Sequence, residues 1–122
     1  LKLPHLDEDN AKRRFVARHY LKGIKNTKIK LPFYSDIKDH VFHLFVVLVE
    51  DRNHFMNYLK DNAIETLIHY PIPPHQQDAL KSFDFRSFPL TEKIHQQLVS
   101  LPMSPVLETD DVSKIINIIN AY

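Results

Sequence analysis

Residues 69–75 combine groups that can bind a ligand with an unusually stiff backbone. The segment reads His-Tyr-Pro-Ile-Pro-Pro-His, so two imidazoles and one phenol flank three prolines. Imidazole and phenol groups can both donate and accept hydrogen bonds, and each proline fixes φ at about −65°. A rigid turn that exposes polar groups is one way to build a binding site. The residues alone leave two interpretations open, a structural turn and a ligand-facing site.

The composition excludes several other kinds of chemistry. The chain has no cysteine, which excludes disulfides, thiolate metal ligands and cysteine nucleophiles. One glycine, Gly23, cannot supply a P-loop or a glycine-rich dinucleotide turn. His69, His75 and Asp78 are close in sequence, but their spacing matches no common metal site, so we predict no metal ligands. Four further histidines, expected at the surface among polar neighbours, are His5, His19, His54 and His95.

Residues 11–30 carry half of the basic side chains. Of the 16 lysines and arginines, eight lie in this stretch without one acidic residue, although the net charge of the whole chain is only +1. The stretch is either a solvated helix face followed by a basic loop, or a surface that binds an acidic partner. Because no aromatic platform accompanies it, we do not expect nucleic acid.

The pattern of apolar residues predicts one α+β domain, a small sheet with helices packed on one face. We expect about four helices and about three mainly antiparallel strands. Gly23 and Asn62 are placed to end the first two helices, and Asp51 to begin the second. Predicted helices cover 7–22, 51–62, 89–98 and 109–122, with a short one at 76–81, and predicted strands cover 40–49, 65–69 and 99–103.

No apolar run approaches the roughly 20 residues that span a bilayer. The longest candidate, residues 41–49, is interrupted by His43. We therefore expect no membrane segment, and the lack of cysteine suits a reducing compartment such as the cytoplasm.

Several stretches resemble, in order and spacing, the C-terminal part of the pyridoxal-phosphate-dependent sugar aminotransferases of the DegT/DnrJ/EryC1/StrS family. The most specific are His-Tyr-Pro-Ile-Pro-Pro-His-Gln at 69–76 and Ser-Leu-Pro-Met-Ser-Pro at 100–105. The others lie at 10–14 with Ala17 and Tyr20, at 40–46, and at Leu59 with Ile64. Together they extend over nearly all 122 residues.

The resemblance implies that residues 1–122 form the small C-terminal domain of a larger enzyme. The family's N-terminal domain holds pyridoxal phosphate and its Schiff-base lysine, and that segment is not in this chain. The whole enzyme would be a homodimer that moves an amino group from an amino-acid donor, such as glutamate, to a keto-deoxyhexose linked to dTDP or a similar nucleotide. The fragment alone is expected to bind no cofactor and to be inactive.

The resemblance also implies roles for individual residues. His69 and Tyr70, with His75 as a third, are expected to face the sugar nucleotide, and no residue of this chain is expected to be catalytic. The chain departs from the family at Ala63, Glu65 and Leu67, where many members have glycine. The bulk of Leu67 would narrow any site that this segment faces.

Overall fold

A computed structural model describes residues 3–80 and 87–122. Its helices are α1 (Leu6–Gly23), α2 (Arg52–Asp61), α3 (Pro89–Gln97) and α4 (Thr109–Ala121). The strands β1 (Ile29–Lys30), β2 (Phe45–Val49) and β3 (Leu98–Leu101) form an antiparallel sheet in that order. The predicted α+β class is confirmed, and the strand predicted to be most strongly apolar is the central one.

One face of the sheet forms the hydrophobic core. Side chains alternate along a strand, and Phe45, Val47 and Val49 are buried whereas Val46 and Leu48 are half-buried. Phe45 pairs with Leu101 and Val47 with Val99, so β3 extends the same buried face. The helices cover it with Val16, Ala17 and Tyr20 from α1, Phe55 and Leu59 from α2, and Val112, Ile115 and Ile119 from α4.

The central strand is shorter than predicted. It begins at Phe45, not at residue 40, because Phe42 has a φ of 52° and turns its fully buried ring into the core. Arg14 holds the preceding loop by donating from Nε to the His40 carbonyl (3.0 Å) and from Nη2 to the Lys38 carbonyl (3.2 Å). A left-handed residue cannot continue a regular strand, so the apolar run contains a loop and a strand.

Three other predicted boundaries are wrong. Residues 65–69 form no regular strand but a single bridge, in which Leu67 pairs with Ser100. The strand predicted at 99–103 occupies Leu98–Leu101, so Leu98 does not belong to α3. Residues 76–81 were predicted to form a helix, whereas the described part contains two short 3₁₀ turns, Pro74–Gln76 and Asp78–Leu80. Lys81 lies outside the described residues.

The helix ends follow the predictions only in part. Asp51 begins α2 as expected, since its Oδ1 accepts from the His54 backbone N–H (3.0 Å). The left-handed residue after α2 is Ala63 (φ 60°), not Asn62. Gly23 has no positive φ; a Cβ there would lie 2.8 Å from Ile116 Cδ1, so glycine permits the close approach of α1 and α4.

Candidate functional site

The proline-rich segment 69–77, here called the proline turn, crosses from the sheet to α3. It leaves β3 just after the bridge between Leu67 and Ser100, whose two backbone hydrogen bonds measure 2.9 and 3.3 Å. It ends in the 3₁₀ turn Pro74–Gln76, where Gln76 N–H donates to the carbonyl of the buried Pro73 (2.9 Å). Three side chains of this turn, His69, Tyr70 and His75, were predicted to bind substrate.

His69 is held against the sheet by its inner ring nitrogen. Its Nδ1 lies 2.8 Å from Ser100 Oγ on β3, and its ring is half-buried. Ser100 pairs with Val46 rather than with Phe45, so its side chain points away from the core face. Even so, Ser100 is only 4% exposed. This contact fixes the ring through Nδ1, and within residues 3–80 and 87–122 no hydrogen bond is found for Nε2.

Tyr70 presents its phenol to solvent from a strained backbone. Its side chain is 74% exposed and its φ is 59°, which is uncommon for a residue with a Cβ. The Tyr70 carbonyl accepts a hydrogen bond from His95 Nδ1 (2.7 Å), and the His95 carbonyl accepts one from Arg52 Nη1 (2.7 Å). Strained residues persist where surrounding contacts fix them, and such residues cluster at functional sites.

His75 contacts α3 instead of facing solvent beside Tyr70. Its Nε2 donates to Glu92 Oε1 (3.1 Å), its ring centroid lies 5.0 Å from that of Phe88, and its side chain is 11% exposed. Glu92 Oε1 also accepts from the Phe88 backbone N–H (3.0 Å) and from Ser87 Oγ (3.2 Å). These hydrogen bonds, that of Phe88 first, lower the pKa of the Glu92 carboxyl. His75 therefore docks the proline turn on α3.

The residues that support the turn were missed by the sequence analysis. Ser100, Arg52 and Glu92 received no role, and His95 was expected to be a surface histidine. Only Glu92 carried a local signal, since it lies in the first turn of a helix that begins at Pro89, where a carboxylate is favourable. The others act through contacts between residues 25 to 43 positions apart in the sequence.

A surface groove lies beside the proline turn but does not include its three polar side chains. Its volume is about 800 Å³, and it runs between α2, residues 63–67 and α4. Leu67 lines the groove. Because Tyr70 stands outside the groove, a ligand that bound Tyr70 would need a second wall from elsewhere.

The described residues do not fit a pyridoxal phosphate site. All nine lysines among them are exposed, whereas a Schiff-base lysine works in a desolvated pocket. Gly23 packs against Ile116 and forms no phosphate-binding loop. In residues 3–80 and 87–122, no three histidine or carboxylate side chains are grouped as metal ligands. None of the helices in these ranges is both long and apolar enough to cross a bilayer.

Much of the basic stretch 11–30 is used inside the chain. Lys12 pairs with Glu8 (2.7 Å), Arg13 donates to Asn10, and Arg14 holds the loop before β2 as described above. Lys28 donates to the Tyr122 carbonyl (3.0 Å) and lies over the Tyr122 ring. These contacts favour the interpretation as a solvated, partly structural surface over a site for an acidic partner.

Comparison with known proteins agrees with the resemblance seen in the sequence. The model of the DegT/DnrJ/EryC1/StrS aminotransferase family matches residues 1–120. The chain is 49% identical over 122 residues to the dTDP-3-amino-3,6-dideoxy-alpha-D-galactopyranose transaminase of Aneurinibacillus thermoaerophilus, covering all of this chain and 34% of that protein. It is 34% identical over 125 residues to the dTDP-3-amino-3,4,6-trideoxy-alpha-D-glucose transaminase of Streptomyces venezuelae, covering 33% of it.

Solved structures give the same result. The crystal structure of S. venezuelae DesV in complex with a ketimine intermediate superimposes with a TM-score of 0.91 at 34% identity, over 98% of this chain and 33% of that one. A family member from Brucella abortus gives a TM-score of 0.88 at 28% identity, over 98% of this chain and 32% of that one. The chain thus spans about a third of the length of the relatives it matches. Because the family model matches nearly every residue, this chain belongs to the DegT/DnrJ/EryC1/StrS aminotransferase family.

Proposed function

We propose that this chain is the small C-terminal domain of a pyridoxal-phosphate-dependent nucleotide-sugar aminotransferase. The whole enzyme would transfer an amino group, with glutamate as the expected donor, to a dTDP-linked keto-6-deoxyhexose. The relative that is 49% identical supports this substrate class, because its name describes a dTDP-linked amino-dideoxyhexose. We expect the whole enzyme to be a cytoplasmic homodimer.

The proposal divides the work between two parts of the enzyme. When bound, the cofactor supplies the chemistry of amino transfer, and a larger N-terminal domain would hold it. The misfit between pyridoxal phosphate and the described residues supports this division, as does the coverage of about a third of each relative. This chain would contribute one wall of the substrate site and would be inactive alone.

Within that wall, Tyr70 and His69 would bind the sugar nucleotide. The observation that carries this assignment is the exposed Tyr70 phenol on a backbone fixed by His95. A preorganised donor of this kind binds an oxygen at little entropic cost. Leu67, just before the turn, and Ile72, within it, are both exposed, as expected of a surface that packs against another domain. His75 would position the turn through Glu92, in addition to any direct contact.

Replacing Tyr70 with Phe in the full-length enzyme tests the assignment. The change removes one hydrogen bond worth about 0.5–1.5 kcal/mol, or up to about 3 if the partner is a charged phosphate oxygen. We expect kcat/KM for the keto-sugar to fall by roughly two-fold to somewhat over 100-fold. The half-reaction with the amino-acid donor should stay nearly unchanged, and stopped-flow kinetics measure the two halves separately.

Tyr58→Phe is the matched control. The Tyr58 hydroxyl donates to the Ile118 carbonyl (3.0 Å) between two helices, away from the proline turn. Its loss should reduce stability and leave both half-reactions unchanged. If Tyr70→Phe slows the donor and acceptor half-reactions equally, Tyr70 serves the cofactor; if it slows neither, the proline turn is structural.

A further inference from the structure

The hydroxyl of Ser100 is a buried polar group that contacts His69. Ser100 is 4% exposed, and its backbone N–H and carbonyl are both used in the bridge to Leu67. Within the described ranges, 3–80 and 87–122, the hydrogen bond recorded for Ser100 Oγ is the one with His69 Nδ1 (2.8 Å).

The direction of this hydrogen bond follows from the cost of an unsatisfied hydroxyl. If His69 Nδ1 carried the proton and donated to Oγ, the Ser100 O–H would have no acceptor within residues 3–80 and 87–122. Leaving a buried O–H donor without an acceptor costs free energy. That cost is avoided when the O–H itself donates to the imidazole. The favourable arrangement has the Ser100 O–H donating to a bare Nδ1, which places the proton of the neutral imidazole on Nε2.

We infer that Ser100 is a positioning residue that fixes the tautomer of His69, so that neutral His69 presents an Nε2–H donor to the substrate. Such a donor recognises an acceptor oxygen of the sugar nucleotide, either on the sugar or on the pyrophosphate. It does not recognise a ligand N–H or ammonium group in the same place. The role toward substrate rests on the proposed function, but the tautomer itself does not.

Two other histidines of the chain serve as internal standards, because their partners leave no choice of direction. His95 Nδ1 faces the Tyr70 carbonyl, which can only accept, so His95 carries its proton on Nδ1. His40 Nδ1 faces the Phe42 backbone N–H (2.9 Å), which can only donate, so neutral His40 carries its proton on Nε2. Imidazole nitrogen shifts distinguish these two states.

The experiment is a ¹H–¹⁵N correlation spectrum of the chain labelled at histidine, recorded at about pH 8.5, above the usual histidine pKa of about 6.5. His69→Gln, His95→Gln and His40→Gln assign the three rings. We expect His69 to match the pattern of His40, with a bare Nδ1 and a protonated Nε2. A His69 that instead matches His95 overturns the inference without using any variant of Ser100.

Serine variants then test whether Ser100 is the cause. Ser100→Ala should reduce the difference between the two ring nitrogen shifts of His69, and Ser100→Thr, which keeps the hydroxyl, should retain it. Ser113→Ala removes a hydroxyl that donates to the Thr109 carbonyl on α4, and should leave the His69 ring unchanged. An unchanged His69 ring in Ser100→Ala shows that Ser100 does not set the tautomer.

Kinetics of the full-length enzyme separate this inference from the proposed function. Ser100→Ala should raise KM for the nucleotide sugar by roughly two- to ten-fold with little change in kcat, and Ser100→Thr should restore it. The affinity for dTDP without its sugar, compared between Ser100→Ala and the parent enzyme, locates the acceptor oxygen. It is lower in the variant only if His69 contacts the pyrophosphate. If the spectra show the expected tautomer but KM is unchanged in Ser100→Ala, the substrate role of His69 is rejected. The inference about the tautomer then still stands.

Discussion

At the scale of single residues, the end of α2 shows how backbone hydrogen bonds select a conformation. Ile64 N–H donates to the Leu59 carbonyl (2.9 Å) and Ala63 N–H to the Lys60 carbonyl (2.9 Å), which is the Schellman arrangement. Leu59 and Ile64, the two residues that flank it, are both in the core. The geometry requires a left-handed residue at position 63, and alanine adopts it at a steric cost that glycine lacks.

We therefore expect Ala63→Gly to stabilise the chain by about 0.5–1 kcal/mol. The left-handed conformation costs an alanine about 1–2 kcal/mol, and the greater freedom of glycine in the unfolded chain offsets part of the gain. Urea unfolding measures the difference. Ala11→Gly is the matched control, because Ala11 is an exposed residue inside α1 where glycine should cost about 1 kcal/mol. Destabilisation by both changes would contradict this account of residue 63.

The same scale shows why two helix ends were predicted at the right place but for the wrong reason. Asn62 tolerates a left-handed conformation better than Ala63, so propensity favoured the asparagine. The hydrogen bonds of Ile64 decide otherwise, and they depend on Ile64 reaching the core. Gly23 does end α1, but without a positive φ, and its lack of a side chain accommodates Ile116, which is 93 positions away. Neither fact can be read from neighbouring residues.

At the scale of elements, the sequence predicted those that carry a strong local pattern. The near-continuous run of β-branched and aromatic residues identified the central strand, and Asp51 and Pro89 marked the beginnings of two helices. The sequence could not separate the loop at 40–44 from the strand. Phe42 is as apolar as a strand residue because its ring is buried in the core, and only its positive φ sets it apart. Strand β1 has two residues, too few to show any period, and it forms only because Ile29 pairs with Val49.

The docking of the proline turn on α3 has a pH dependence that belongs to this scale. Because the pKa of Glu92 is lowered in the folded chain, the unfolded chain takes up a proton at higher pH. The stabilisation is therefore complete above the ordinary carboxyl pKa of 4.5 and is lost as pH falls through the lower folded value. We expect Glu92→Gln to be less stable than the parent at pH 7, and the difference to disappear in acid.

Thermal unfolding from pH 7 down to pH 3 measures this effect. Glu8→Gln is the control, since the pKa of Glu8 is also lowered, by its pairing with Lys12, but both side chains are at least half exposed. An exposed pair one helical turn apart contributes little to stability. If Glu8→Gln and Glu92→Gln give the same pH profile, the contact between Glu92 and His75 does not hold the turn.

At the scale of the whole molecule, the chain has a complete core, whereas the proposed substrate site would need a second wall. The core face of the sheet is covered by α1, α2 and α4, so the fold does not depend on another domain to bury it. By contrast, the segment from 67 to 72 exposes Leu67 (64%), Tyr70 (74%) and Ile72 (53%). The sequence predicted the chemical groups of the proline turn, because they are consecutive. It could not predict their supports, which come from α2, α3 and β3.

The last prediction follows from the exposure of the lysines. Mixed with pyridoxal phosphate and reduced with borohydride, the purified chain should retain far less than one pyridoxyl group per molecule, spread over several lysines. An exposed lysine has no desolvated pocket to favour the neutral amine, and only the neutral amine attacks an aldehyde, so it forms an imine only weakly. Peptide mapping includes Lys2 and Lys81, which lie outside the described residues. The full-length enzyme, treated in the same way, should retain one group at one lysine outside this chain. Stoichiometric labelling of a single lysine within residues 1–122 would show that this domain binds the cofactor itself.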